Sequence, residues 1–266
     1  MRLSEARVVL TGASGGIGLA IAAMLCASGA QVLAVARHRA PLDVLLAQYP
    51  QQLCWVSADL TFLADRRKVL AAAEAIGGIN LLINTAGINH FAMLEQLDDA
   101  EINQMLALNI GAPICLTRLL LPMLKQAAGA RVVNVGSTYG SIGYPGYATY
   151  CATKFALRGF SEALRRELAD THVGVLYVAP RATRTSMNSA AAEALNEALK
   201  SNVDDPHTVA SAVIKAIVDD RRDLYLGWPE RFFVRLNSLL PKLVDRGLRK
   251  QLPLVRRLSD NPVNKD

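Results

Sequence analysis

Residues 6–36 pass from a short apolar run (ARVVLT) through a glycine cluster into a helix-period stretch and back to an apolar run (QVLAVA). The pattern then recurs. Apolar runs occupy residues 52–57, 79–84, 131–136, 172–179 and 223–227, and helix-period stretches occupy 62–76, 99–126, 147–168 and 207–219 between them. Short apolar runs bounded by turn residues read as strands buried on both faces, and strands alternating with helices imply βαβ units. The fold class that follows is α/β: a doubly wound, Rossmann-type parallel sheet of about seven strands, with helices on both faces. Gly111 and Pro113 fall inside the 99–126 stretch and are expected to distort it. Residues 19–36 approach the length of a membrane span, but Ser28, Gly29 and Gln31 interrupt them where a helix hands over to a strand. No basic region followed by an apolar core and a cleavage site precedes the first strand, so no signal peptide is expected.

The glycine cluster (TGASGGIG, residues 11–18) sits between strand and helix, the context in which glycines serve a nucleotide. Glycines let the backbone approach a pyrophosphate, and the amides at the helix start face the anion. The spacing of Gly12, Gly16 and Gly18 is G-x-x-x-G-x-G; an ordinary glycine-rich turn has the same composition. At the end of the second strand, Ala36 is followed by Arg37, His38 and Arg39, and no carboxylate appears before Asp43. An acidic residue there would bind a ribose 2′-hydroxyl, whereas an arginine accommodates a 2′-phosphate. NADP(H) is therefore favoured over NAD(H), against the alternative that these are solvated loop charges.

Residues 139–155 (YGSIGYPGYATYCATKF) place Tyr150 and Lys154 four apart, on one face of the expected helix. A fixed positive charge beside a phenol lowers its pKa and makes it able to give and take a proton near neutrality. Ser137 stands at the carboxyl end of the strand just upstream, where open α/β sheets bind ligands.

Taken together, these residues resemble the short-chain dehydrogenase/reductase (SDR) family over roughly residues 5–227. Residues 11–18 resemble its TGxxxGxG turn. Residues 84–87 (NTAG) resemble its NNAG motif, with Thr85 for the second asparagine. Residues 180–185 (PRATRT) resemble its PGxxxT motif, with Arg181 in place of glycine. Asn109, Ser137, Tyr150 and Lys154 match the four catalytic positions. The resemblance implies a cofactor held by Gly12, Ser14, Gly16, Ile17, Gly18, Arg37, Asp59, Leu60, Asn84, Ala86, Gly87, Tyr150, Lys154, Pro180 and Thr185. It implies hydride transfer between NADP(H) and a carbonyl or secondary alcohol. Tyr150 would protonate the alkoxide, Ser137 would hold the same oxygen, Lys154 would lower the phenol's pKa, and Asn109 would hold a water leading to solvent. A homodimer or homotetramer is also implied. Asn89, His90, Phe91, Ile142, Tyr144, Tyr147 and Met187 are candidate pocket residues for an apolar substrate. A nucleotide-binding regulator or scaffold without turnover is the alternative on the same fold.

Apolar residues make up 52% of the 266, enough for a large core, which excludes a disordered chain. Cys26, Cys54, Cys115 and Cys151 are dispersed and read as reduced core thiols of a cytoplasmic protein. No metal-ligand spacing appears among them or among His38, His90, His172 and His207. The net charge of +6 is local. Residues 1–220 carry 18 basic and 18 acidic side chains, and residues 221–266 carry 11 and 5. A neutral body with a basic tail points away from nucleic acid. The expected division is a catalytic, NADP-binding domain at 1–227 and a basic, helical, amphipathic extension at 228–266. Trp228, Phe232, Leu236, Leu239, Leu240 and Leu243 give the extension an apolar face, and Pro241 and Pro253 cut it into pieces too short to span a bilayer. Two readings remain for it: packing on the domain or a neighbouring subunit, or peripheral contact with a membrane.

Overall fold

The computed structural model describes residues 1–260. The last six residues of the 228–266 extension lie outside the described residues. Seven parallel strands form one sheet in the order β3-β2-β1-β4-β5-β6-β7. They are β1 (Arg7–Thr11), β2 (Gln31–Ala36), β3 (Leu53–Ser57), β4 (Leu81–Asn84), β5 (Arg131–Val135), β6 (Gly174–Ala179) and β7 (Asp223–Tyr225). The chain winds outward from β1 in one direction, then crosses to β4 and winds in the other. A crevice opens at the carboxyl ends of β1 and β4, where the winding reverses.

One face of the sheet is covered by α1 (Gly16–Ala27), α2 (Asp43–Gln48) and α8 (Pro206–Val218). The other is covered by α3 (Leu63–Ala75), α5 (Ala112–Gln126) and α6 (Ala148–Glu167). Val8 and Leu10 of β1 face the first layer and Val9 the second, all fully buried, which is why this strand is apolar without alternation. β3 is an edge strand and shows the opposite: Cys54 on it is exposed, against the expectation of a core thiol. All four cysteines are free thiols.

The 99–126 stretch does distort. α4 (Asp99–Leu106) begins with a capping box between Asp98 and Glu101. Residues Ala107–Gly111 then form a π-helical turn, and Pro113 falls in the first turn of α5. This stretch, Asp99–Gln126, also has the length and apolarity of a membrane span, more so than residues 19–36, which divide into α1 and β2. Its Met105, Ala112, Leu116, Leu120 and Leu124 are buried in the protein core.

Two helices were not anticipated, the short α2 and α7 (Ala190–Ala198), which opens with Ser189 accepting from the Ala192 amide. The extension folds as α9 (Glu230–Leu239), α10 (Pro241–Arg249) and α11 (Leu252–Ser259). Its two halves differ. α11 packs against α7, with Val255 fully buried. α9 and α10 form a hairpin with mostly exposed residues.

Polar bonds inside the sheet join the layers. Asn134 on β5 is fully buried. Its Oδ1 accepts from Asn84 Nδ2 at 2.8 Å, and its Nδ2 donates to Ser161 Oγ of α6 at 2.9 Å. Asn134→Ala removes both bonds at once and leaves Asn84 Nδ2 with Thr117 and Ser161 Oγ with the Leu157 carbonyl as their remaining partners. Unfolding free energy should fall by about 2–3 kcal/mol in a denaturant titration. A loss under about 0.5 kcal/mol would show that water replaces the missing amide.

Candidate active site

The glycine turn begins where β1 ends. Gly12 adopts φ +63°, and a Cβ there would stand 2.7 Å from the Ala86 backbone nitrogen. Only glycine allows the turn to lie this close to the end of β4. Thr11 Oγ1 accepts from the Thr85 and Ala86 amides at 3.1 and 3.2 Å, and Thr85 Oγ1 donates back to the Thr11 carbonyl. Thr85, the departure from the second asparagine, therefore ties β4 to β1.

A cleft of about 820 Å³ runs along these strand ends. Gly12, Ser14, Gly16, Ile17, Gly18, Arg37, Asp59, Leu60, Ala86, Gly87, Pro180 and Thr185 line it, and so do Ser137, Tyr150 and Lys154. Arg37 and Arg39 part company here. Arg39 is bound to Asp43 at 2.8 Å, whereas Arg37 lines the cleft and has no salt-bridge partner among the described residues. Asp59 Oδ1 accepts from the Thr61 amide and hydroxyl at 2.9 and 2.7 Å, which shapes the loop after β3. Asn84 is placed elsewhere. It is buried behind the cleft and spends its amide on Asn134, so it holds the sheet and does not line the cofactor path.

The side chains expected to carry chemistry come from three elements. Ser137 follows β5 and caps a short 3-10 turn, its Oγ accepting from the Tyr139 amide at 3.1 Å. Its side chain also lies beside the Tyr150 phenol and acts to lower its pKa. Tyr150 and Lys154 lie one turn apart on α6, with Lys154 Nζ 5.5 Å from the Tyr150 ring centre. The ammonium is buried and donates to the Val135 carbonyl at 3.1 Å. Asn109 rides on the π-helical turn, a local widening common at functional sites. Its Oδ1 accepts from the Ile88 amide at 2.8 Å, and its Nδ2 donates to Ile88 O at 2.8 Å and Thr153 Oγ1 at 3.2 Å. Both of its amide hydrogens are thus used on protein, and the side chain clamps the loop after β4.

The expected lowering of the tyrosine pKa does not appear. Burial pushes the Tyr150 phenol up to about 12, only partly offset by Ser137. Burial likewise pushes Lys154 down to about 8. Desolvation outweighs the attraction between the two groups, because both charged forms lose water in the same pocket. At neutral pH the pair is a protonated phenol beside an ammonium.

Tyr150 belongs to an aromatic cluster with Tyr139, Tyr144, Tyr147 and Phe91. Tyr139 stacks on Tyr144 with ring centres 5.3 Å apart, and Phe91 lies 5.1 Å from Tyr147. Of the residues expected to line the pocket, Asn89, His90, Tyr147 and Met187 do so. Phe91 and Tyr144 stand behind them as support, and Ile142 offers only its carbonyl, to Cys151. Helix α11 closes the cluster from behind. Gln251 accepts from Tyr144 at 2.6 Å, Val255 packs on the chain at Gly146, and Asp260 is bound by Gln96 at 2.7 Å.

Sequence reasoning missed the contribution of residues 188–205, where Asn196 and Asn202 face the cleft. The alanine-rich stretch behind Ser189 was the available signal. The substitution at Arg181 has a visible purpose. Its guanidinium bonds both oxygens of Asp204 at 2.8 and 3.0 Å and Glu230 at 3.3 Å, so it joins the loop after β6, the approach to α8 and the start of α9.

The short chain dehydrogenase family model matches residues 6–196. The chain belongs to the short-chain dehydrogenase family. Members are oxidoreductases that bind a nicotinamide cofactor and act on small molecules. An uncharacterized oxidoreductase of Bacillus subtilis, YxnA, is 30% identical over 94% of this chain and 73% of its own length. The 3-oxoacyl-[acyl-carrier-protein] reductase FabG of Escherichia coli is 32% identical over 70% of this chain and 77% of its own. Among solved structures, a short-chain dehydrogenase from Streptomyces avermitilis superimposes with TM-score 0.79 at 31% identity, covering 95% of this chain and 98% of that one. One from Burkholderia cenocepacia, in complex with NADP, gives 0.78 at 28% identity, covering 87% and 100%.

The depressed Lys154 pKa has a measurable sign. The unfolded lysine keeps its proton up to about 10.5, and the folded one loses it near 8. The unfolded state therefore binds more protons between these values, and stability attributable to Lys154 rises with pH through that window. Wild type should gain about 1 kcal/mol over Lys154→Met between pH 7.5 and 9 in denaturant titrations. Parallel curves for the two proteins would mean that Lys154 is not desolvated.

Proposed function

We propose that this protein is an NADP(H)-dependent oxidoreductase that interconverts a carbonyl compound with an apolar or aromatic body and its secondary alcohol. The observation that carries the reading is the protonated Tyr150 phenol beside Ser137 and Lys154, on the wall of a cleft that begins at the glycine turn. A phenol that holds its proton to about pH 12 can donate it to a developing alkoxide, and its conjugate base takes a proton back in the reverse direction.

The cleft fits a dinucleotide. Gly12, Ser14, Gly16 and Gly18 line it, and α1 starts at this turn, where its first amides would face a pyrophosphate. Arg37 lies at the end of the cleft beside β2, where its guanidinium would meet a 2′-phosphate. When bound, the nicotinamide supplies the hydride that adds to the carbonyl carbon. Tyr150 donates its proton to the carbonyl oxygen as negative charge develops there. Ser137 donates a hydrogen bond to the same oxygen and holds it against the phenol. The Lys154 ammonium offsets the charge left on the tyrosine oxygen. Asn109 positions Ile88 and thereby the floor of the cleft. The aromatic rings around Tyr150 exclude water and offer apolar surface to the body of the substrate. A relative whose name is 3-oxoacyl-[acyl-carrier-protein] reductase supports the carbonyl class.

Tyr150→Phe removes one hydroxyl and little volume. Turnover of NADPH with a panel of ketones and aldehydes should fall at least about a hundredfold, while NADPH binding followed by fluorescence stays near wild type. Wild-type rates in that variant would end this mechanism, and a chain that binds NADPH yet reduces nothing on a broad panel would favour a regulator.

Cofactor choice is tested separately. NADPH should bind at least about tenfold more tightly than NADH, and Ala36→Asp combined with Arg37→Ala should reverse the order. Equal wild-type affinities would show that Arg37 does not read the 2′-phosphate.

A further inference from the structure

The exposed side of α9 is its apolar side. Val234 is the buried residue of that helix, and Asn237 on the same face donates to the Ser141 carbonyl at 3.0 Å. At 100° per residue, Phe232, Leu236 and Leu239 project from the opposite side. Phe232 is 49% exposed and Leu239 is 79% exposed. Trp228 just ahead of the helix is 73% exposed, and Phe233, Leu240 and Leu243 continue the patch around the turn into α10. Helices of water-facing proteins put the apolar stripe inward, so a patch of this extent marks a surface that meets something else.

Charge identifies the occupant. Arg231, Arg235, Lys242, Arg246, Arg249 and Lys250 surround the patch, and all are exposed. Only two acidic residues lie within 230–250. Glu230 is held by Arg181, which leaves Asp245 against six cations. Two copies pressed face to face would set these cations against one another. An anionic bilayer instead takes large apolar side chains below its headgroups and basic ones among them, with an indole at the boundary.

We infer that the α9–α10 hairpin is a peripheral docking surface for anionic lipid bilayers. Residues 228–250 form it. α11 takes no part, since its apolar side is already spent on the aromatic cluster. This use is independent of the reaction proposed for the cleft.

The test is co-sedimentation of the full-length protein with phosphatidylcholine vesicles, with and without phosphatidylglycerol, at low and high salt. Binding should require the anionic lipid and fall as salt rises. Trp228 emission should shift to the blue on binding, and Trp228→Phe, which keeps Trp55, should lose the shift. Arg235→Glu with Arg246→Glu should weaken partitioning about tenfold or more. Phe232→Ser with Leu239→Ser should do likewise while keeping the wild-type unfolding midpoint, because both positions are solvent-facing. Failure of wild type to sediment with anionic vesicles at low salt overturns the inference. So does equal binding to neutral vesicles. Concentration-dependent self-association abolished by Phe232→Ser, with no vesicle binding, would assign the face to a second copy instead.

Discussion

The frame of the cleft depends on a close approach between backbones. The turn after β1 meets the end of β4 with no side chain between them, and the Thr11 hydroxyl is bonded to two amides of the neighbouring strand. This contact fixes the floor of the crevice and the direction in which α1 starts. The loop after β4 is held from its other side by Asn109, and Asn109 is held by Thr153 of α6. A line of hydrogen bonds thus runs from the glycine turn to the helix that carries Tyr150 and Lys154. The glycine-turn end and the Tyr150 end of the cleft therefore share one frame.

Desolvation is the second organising effect. Tyr150 and Lys154 sit where ionisation is costly, and their pKa values move in opposite directions from their ordinary ones. A tyrosine–lysine spacing of four suggests attraction between phenolate and ammonium. Burial decides the balance in this pocket instead. On the proposed reading, a substrate oxygen that gains negative charge restores to both groups the polar environment they lack.

Most of the sheet was legible because a strand buried on both faces must be apolar along its whole length, as Val8, Val9 and Leu10 show. The glycine turn was legible because a positive φ and a close approach leave one choice of residue at position 12. The burial behind the cleft was not. Asn84 and Asn109 have side chains that sequence alone cannot aim, and the structure points the first into the sheet and spends the second on Ile88. Residues 188–205 were passed over because α7 is short and alanine-rich, so its period is faint. The extension was read correctly as helical, but its division was invisible. α11 turns inward because Val255 meets Gly146, Phe91 and their neighbours, contacts separated by more than a hundred residues of chain.

That inward turn separates two kinds of inheritance within one cleft. Ser137, Tyr150 and Lys154 stand just after β5 or on α6, close to the sheet scaffold. The wall behind the aromatic rings comes from the last helix, joined to the rest by Gln251, Val255 and Asp260. Changes in that helix alter the shape presented to a ligand without touching the scaffold that carries the chemistry. The C-terminal segment is therefore where such a chain can drift toward new ligands at least cost to its fold.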